Sequence, residues 1–376
     1  MMTEYDVMIV GGGPAGSTLA WYLRDSGLKV AILDKASFPR DKTCAGWVTP
    51  EVMQELQIDL SDYQQHNTLQ SVNGFRISHM GGKEVDTPMS DKPVSYGIRR
   101  SEFDNYLLQR CGAELILNTK FSKMEKQPDG WLVNDNYKAK LVVGAGGHFC
   151  PVARAMGARP GSAERTVVAQ EIEYAMTAEQ MAECSVSEEV PELFFCKDLE
   201  GYGWVVRKGN YLNIGLGRED TNKLTEHVAE FSQMLKKQRK IPSDTPDKFP
   251  GHAYLLYPHA IRELIQDGVM LIGDAAGLAY PQSGEGIRPA VESAMMAAKV
   301  IRDIKGQYSQ QNLQPYYRQL TERFGQRQPT PDLMERLPQS IKELFAHYLL
   351  GQRWFAQHVV MDRWFLHKQQ APLVFE

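Results

Sequence analysis

No stretch of this 376-residue chain reaches the ~18 consecutive apolar residues that a membrane-spanning helix needs, so no integral membrane segment is expected. The N-terminus, Met-Met-Thr-Glu-Tyr-Asp, has no basic segment leading into an apolar one. No secretory signal is therefore expected, and the chain reads as cytoplasmic. Positive charge is not in surplus either. Lys and Arg number 42 against 46 Asp and Glu, a net charge of −4, which gives no reason to expect a nucleic-acid partner. Cysteine is scarce: Cys44, Cys111, Cys150, Cys184 and Cys196 are scattered and lack C-x-x-C spacing. Reduced thiols are expected, with neither a metal site nor a redox-active disulfide. Internal repeats and low-complexity tracts are also missing. The remainder is ordinary globular material, 43% hydrophobic and 23% charged, long enough for two to three domains.

What the chain does have is an ordered N-terminal signature. Val7–Val10 reads as a short buried strand, and Gly11, Gly13 and Gly16 follow on G-x-G-x-x-G spacing. From Pro14 to Ser26 the pattern is helical, with Leu19, Ala20 and Leu23 on the inner face and Gly27 as the C-cap. Lys29–Leu33 reads as a second strand, ending at Asp34 and Lys35. The first glycine permits a tight turn. The second lets a pyrophosphate approach the backbone, and the third lets helix and sheet pack closely. With Pro14 and Ala15, they open a helix N-terminus whose free N–H groups attract phosphate. Asp34 stands 18 residues after Gly16, where a carboxylate can accept from ribose hydroxyls. The expectation is a dinucleotide site.

Farther along, helix signals cover residues 50–56 and 101–111, with Ser101 as N-cap and Asp104 in the first turn. Residues 114–117, 120–126, 130–133 and 140–143 read as strands. Between about 160 and 262, short alternating segments argue an antiparallel sheet, interrupted by one helix over 222–240. A strand returns at 269–272, a helix runs from 286 to 305, and the chain beyond 310 looks helical. The expected fold class is α/β. A nucleotide-binding domain would comprise 1–67, 100–160 and 265–305, a substrate domain 68–99 and 161–264, and a helical C-terminal region 306–376.

A second signature occupies residues 269–290. Asp274 ends a strand, and the loop carrying Gly284 and Gly286 leads into a helix at Ile287. Asp274 could bond a sugar-like hydroxyl, and the N–H groups of 284–287 would face an electron-rich atom. Together the two signatures resemble the flavoprotein hydroxylase and geranylgeranyl-reductase superfamily, with the fold of p-hydroxybenzoate hydroxylase. The resemblance implies a Rossmann-like FAD-binding domain with an inserted antiparallel-sheet substrate domain. It implies that Gly273-Asp274 holds the ribityl chain and that the following helix faces the flavin ring. The segment from Phe38 to Gly46, with Arg40, Cys44, Ala45 and Gly46, resembles the family's loop after the second strand, Ala45 replacing a usual glycine. Arg100 with Phe103 and Asp104 resembles the helix whose arginine lies near FAD. Gly201–Trp204 and Asn213–Gly217 resemble substrate-domain strands of the reductase branch.

Val143–Arg154 departs from the pattern. Gly146 stands where hydroxylases show an aspartate linked to FAD and NADPH handling, which leaves NAD(P)H open as the external reductant. No Trp-x-Trp-x-Ile motif of the tryptophan halogenases occurs. His148, Glu285 and Tyr202 are the candidate acid–base groups. The Cys44–Pro50 and Gly144–Arg154 segments resemble flavoprotein monooxygenases that help build tryptophan-derived quinones, such as cysteine tryptophylquinone, in partner oxidases. That resemblance implies aromatic hydroxylation of a protein substrate, a quinoprotein oxidase precursor. The alternatives are a prenyl reductase acting on a hydrophobic small molecule and a flavin-containing assembly factor without turnover. The C-terminal aromatics, Phe345, Tyr348, Trp354, Phe355, Trp364 and Phe365, are expected to pack on the flavin domain, or in part to dock a protein or lipid.

Overall fold

The computed structural model describes residues 2–159, 166–219, 223–327, 343 and 347–374. Three sheets make its frame. The first is mostly parallel. Its strands run in the order Ile265–Gln266, Val269–Leu271, Tyr137–Gly144, Thr3–Val10, Val30–Leu33, Glu114–Ile116, with Met124–Gln127 and Gly130–Val133 as an antiparallel flap. Val7–Val10 and Val30–Leu33 are buried throughout, as expected of parallel strands covered on both faces. The helix Pro14–Leu23 begins with proline at its first turn and packs against the helix Ile287–Asp303.

The second sheet has seven strands, ordered Gly251–Leu255, Thr166–Ala175, Tyr211–Arg218, Gly201–Lys208, Glu192–Phe195, Arg76–His79, Val85–Asp86. All neighbours are antiparallel except Glu192–Phe195 beside Arg76–His79. The third sheet joins Trp47–Val48, Ser95–Ile98 and Leu69–Val72. The stretch 68–99 thus contributes strands to both of the latter sheets. The α/β class and the antiparallel section are as the sequence implies.

Local boundaries differ in instructive places. The helix near 100 spans Arg100–Gln109, so Ser101 lies inside its first turn and caps nothing. Asp104 instead takes a two-point ion pair from Arg100 at 2.8 and 2.9 Å, both partners turned inward. The first helix ends at Leu23, and Gly27 serves the turn beyond it. The strand expected at 120–126 starts only at Met124. Asn134 takes the preceding backbone, accepting from Ser122 N at 2.8 Å and donating to Lys120 O at 2.9 Å.

The C-terminal part is helical at Gln310–Phe324 and π-helical at Ala356–Phe365. Its aromatic stripe packs mostly on the antiparallel sheet, with Trp47 as its contact from the flavin domain. Phe365, fully buried, lies against Trp47, Phe195 and Tyr202, and Leu350, Val360 and Met361 join the same core of the antiparallel sheet. That sheet face supplies the apolar partners. Tyr348 and Trp354 remain 65% and 67% exposed. Phe345 lies outside the described residues.

Candidate cofactor and active site

A cavity of about 650 Å³ runs between the parallel sheet and the antiparallel sheet. Gly11, Gly13, Pro14, Ala15, Asp34, Lys35 and Arg40 line it. So do Cys44, Ala45, Gly46, Arg100, Gly146, Asp274, Gly284, Gly286 and Ile287. Two sequence candidates, Gly16 and Gly273, stand just behind the wall and act through space rather than contact. A side chain at Gly16 would meet Gly11 O at 1.9 Å, and one at Gly273 would meet Ala15 at 3.0 Å. At Gly11, as at Gly46, Gly273 and Gly284, conformation itself demands glycine. The φ of Gly11 is +118°, and a Cβ there would sit 2.5 Å from Ala145 O.

The donor set suits FAD. Gly13 begins the Pro14–Leu23 helix with no side chain capping it, so the first-turn N–H groups face the cavity beside the Arg40 guanidinium. Arg40 is itself 3.3 Å from Asp104. The helix Ile287–Asp303 likewise starts at Gly286 without a side-chain cap. Asp34 accepts from Gly12 N at 2.7 Å and Ala36 N at 2.9 Å, and each carboxylate oxygen keeps capacity for a further donor. Asp274 lies below Gly286, where a Cβ would come within 2.8 Å of its Oδ1. Burial lifts the Asp274 carboxyl above the usual carboxylate range, while Lys42, Arg100 and Arg262 pull it back.

The three acid–base candidates all reach the cavity, in different states. His148 is buried, its Nδ1 lies 3.2 Å from Arg262 Nη2, and its carbonyl accepts from the same nitrogen at 2.9 Å. Arg262 is a permanent donor, so Nδ1 accepts and Nε2 carries the proton. Tyr202 donates to Ser283 O, and burial raises its pKa. Glu285 Oε1 is 3.4 Å from Arg288 N, and its buried Oε2 has no hydrogen-bond partner. Burial pushes its carboxyl up to about 7, against the pull of Arg288. Cys150, adjoining the His148 turn, is fully buried and its thiol is pushed up by burial, the state of an inert packing residue.

Sequence reasoning left several wall residues out of the site. Lys42 projects into the cavity, and burial, then Arg100, brings its ammonium down to about 8. His252 is held down to about 3 by burial and then by Lys42 and Arg100, so it is neutral. Tyr254 and Trp204 complete an aromatic wall with Trp47 and Tyr202. Arg262 is buried behind the lining residues and donates to Ala275 O at 2.9 Å as well as to His148. Trp204 lies in a segment whose resemblance was visible. Arg262 carries no local signal.

A parallel sheet with two uncapped helix N-termini on one cavity, plus carboxylates at two strand ends, defines an FAD-dependent oxidoreductase. A family model for the FAD binding domain matches residues 4–327, and the chain belongs to that family, within the superfamily of geranylgeranyl reductases and p-hydroxybenzoate-hydroxylase-like flavoproteins. It is 28% identical over 335 residues to a digeranylgeranylglycerophospholipid reductase of Methanocaldococcus jannaschii, covering 85% of this chain and 83% of that one. It is 29% identical over 316 residues to a geranylgeranyl diphosphate reductase of Rhodobacter capsulatus, covering 79% and 76%. Among solved structures, a geranylgeranyl bacteriochlorophyll reductase-like protein from Thermoplasma acidophilum superposes with a TM-score of 0.76 at 21% identity, over 98% of this chain and 99% of that one. The halogenase PltM, solved with phloroglucinol and FAD, superposes at 0.69 and 18% identity, over 93% and 78%. The two structural likenesses are likenesses of fold. No helix of the described residues is long and apolar enough to cross a membrane.

Proposed function

We propose that this protein is a reductase of carbon–carbon double bonds in an apolar, isoprenoid-type substrate. The aromatic wall of Trp47, Tyr202, Trp204 and Tyr254 carries the reading. It gives the cavity an apolar side facing away from the phosphate-binding turn, suited to a hydrocarbon chain. The reductase names of the relatives support it. When bound and reduced, FAD supplies a hydride to one carbon of the double bond. The chain's part is to exclude water with the aromatic wall and to supply a proton to the other carbon. Glu285 is the group in the wall suited to that. Its carboxyl keeps a proton to about pH 7, and its Oε2 is not engaged within the protein. Tyr202 is less suited, because its proton is committed to Ser283 O.

Hydroxylation of a tryptophan on a partner protein, the first expectation from the Cys44 and Gly144 segments, is the competing outcome. A geranylgeranyl lipid and an aromatic acceptor are each incubated with the reduced holoprotein, without and with oxygen, and weighed by mass spectrometry. Gain of two hydrogens per double bond is expected. Gain of oxygen by the aromatic compound, with no hydrogenation of the lipid, would overturn the reductase reading.

A further inference from the structure

Trp204 lines the cavity from the antiparallel sheet, and Cys44 lines it from the loop after the second strand. Two buried polar side chains join them. Trp204 Nε1 donates to Asn213 Oδ1 at 2.8 Å. Asn213 Nδ2 donates to Glu171 Oε1 at 2.7 Å and to the carbonyl of Cys44 at 3.0 Å. The Cys44 N–H donates to Glu171 Oε2 at 3.0 Å. Asn213 and Glu171 are 1% and 5% exposed. They sit on adjacent strands, with Asn213 in register with Glu173, two residues beyond Glu171. Gly215 gives the indole its place, since a Cβ there would stand 2.2 Å from the ring.

The chain of bonds has a fixed direction. An indole N–H can only donate, so it settles which end of the Asn213 amide faces it. The amide nitrogen then points at Glu171 and Cys44. Both Glu171 oxygens must therefore accept, one from Asn213 and one from the Cys44 backbone. The loop is pressed close to the sheet as well: a Cβ at Gly46 would come within 2.4 Å of Lys208 Nζ. We propose that Glu171 and Asn213 are positioning residues, which hold the Cys44–Trp47 loop on the flavin cavity through a one-directional hydrogen-bond chain anchored by Trp204. The proposal is independent of the reductase reading, because the loop borders the cavity whatever the reaction.

Cys44 is the reporter, since the other four cysteines are buried. The FAD-loaded protein is treated with a maleimide, and labelling of the Cys44 peptide is followed by mass spectrometry. Glu171→Gln sets an amide N–H against either Cys44 N or Asn213 Nδ2. Cys44 labelling should rise about tenfold, the equivalent of one buried hydrogen bond. Glu171→Asp keeps two acceptor oxygens and should fall between. Adding Trp204→Phe to Glu171→Gln lets the Asn213 amide turn its oxygen to the new amide at position 171 while the Cys44 carbonyl loses its donor, so the double variant should label no faster than Glu171→Gln alone. A purely structural packing role would make the double variant faster, and that result overturns the proposal. So does labelling of Glu171→Gln within about twofold of wild type, well under one hydrogen bond's worth. If Glu171→Gln does not fold, Trp204→Phe and Glu171→Asp decide: both should label faster than wild type, and wild-type rates in both overturn the proposal.

Discussion

The guanidinium of Arg262 donates to the carbonyl oxygen of His148 at 2.9 Å. The same side chain donates to Ala275 O at 2.9 Å and Asp274 O at 3.3 Å. One buried cation thus ties the turn after Tyr137–Gly144 to the turn after Val269–Leu271. Removing it should let the two cavity walls drift. Arg262→Met is expected to weaken FAD binding roughly 10- to 100-fold, by the cost of orphaned buried acceptors. Fluorescence titration of the apoprotein with FAD measures it, and unchanged affinity would show that the two turns stand without the tie.

Asp274→Ala removes the carboxylate that the second signature places at a strand end. A bound hydroxyl would lose its buried partner, at roughly 1–3 kcal/mol. FAD retention should fall about 10- to 100-fold. Equilibrium dialysis that finds wild-type retention would contradict the placement of this loop against the cofactor.

Glu285 supplies a pH dependence with a definite sign. Burial raises its folded-state pKa to about 7 from an ordinary 4.5. The folded state therefore prefers the protonated form. This group's contribution to stability is complete below about 4.5 and is lost as pH rises through about 7. Glu285→Gln should match wild type in thermal scans near pH 5 and exceed it near pH 8. An equal difference at both pH values would show that the carboxyl does not titrate in this range. In the reductase reading the same variant should also slow turnover.

The last turn of the chain is held by polar contacts at a buried charge cluster. Arg288 donates to Gln370 O at 2.8 Å, Arg323 to Ala371 O at 2.8 Å, and Leu373 N to Glu55 at 3.0 Å. Glu292 accepts from both arginines, and burial, then Glu292, lifts the Glu55 carboxyl above the usual range. Deleting residues 367–376 leaves Phe365 in place but strips these acceptors and the Leu373 donor from buried charges. Calorimetry should show a lower Tm with the protein still yellow, and an unchanged Tm would mean that water replaces the tail without cost.

Gly146 is packed by Pro151 Cδ at 3.3 Å and Cys150 Sγ at 3.4 Å from the place a Cβ would take. The carboxylate that hydroxylases of this fold show at this position is absent. Reduction of the flavin by NADPH alone is expected to be slow. Fast bleaching in a stopped-flow instrument would contradict that.

Much of the cofactor site was readable because its physics is local. Gly11, Gly13 and Gly16 occupy consecutive turns, and their roles follow from backbone space within one strand–turn–helix unit. Asp274 and Gly286 belong to a second unit of the same kind. The acid–base candidates were readable as residue types, but not their states. His148 looks free in sequence, and only Arg262, 114 residues away, decides which nitrogen holds the proton. Ser101 misled because its capping preference is local, whereas Asp104 is claimed by the buried Arg100 pair. The aromatic C-terminus announced a packed stripe, but not which sheet it would cover.

The sequence by itself determined that this chain binds FAD and builds two strand–loop–helix units that line one cavity, since glycine spacing and helix ends act within a few residues. Tertiary structure alone decided what faces the cofactor from the other side. Trp204, Asn213, Glu171, Lys42 and His252 come from four separated segments, and their burial and partners depend on how the antiparallel sheet closes over the parallel one. Desolvation and hydrogen-bond direction are properties of that closure, and no single stretch of chain encodes them.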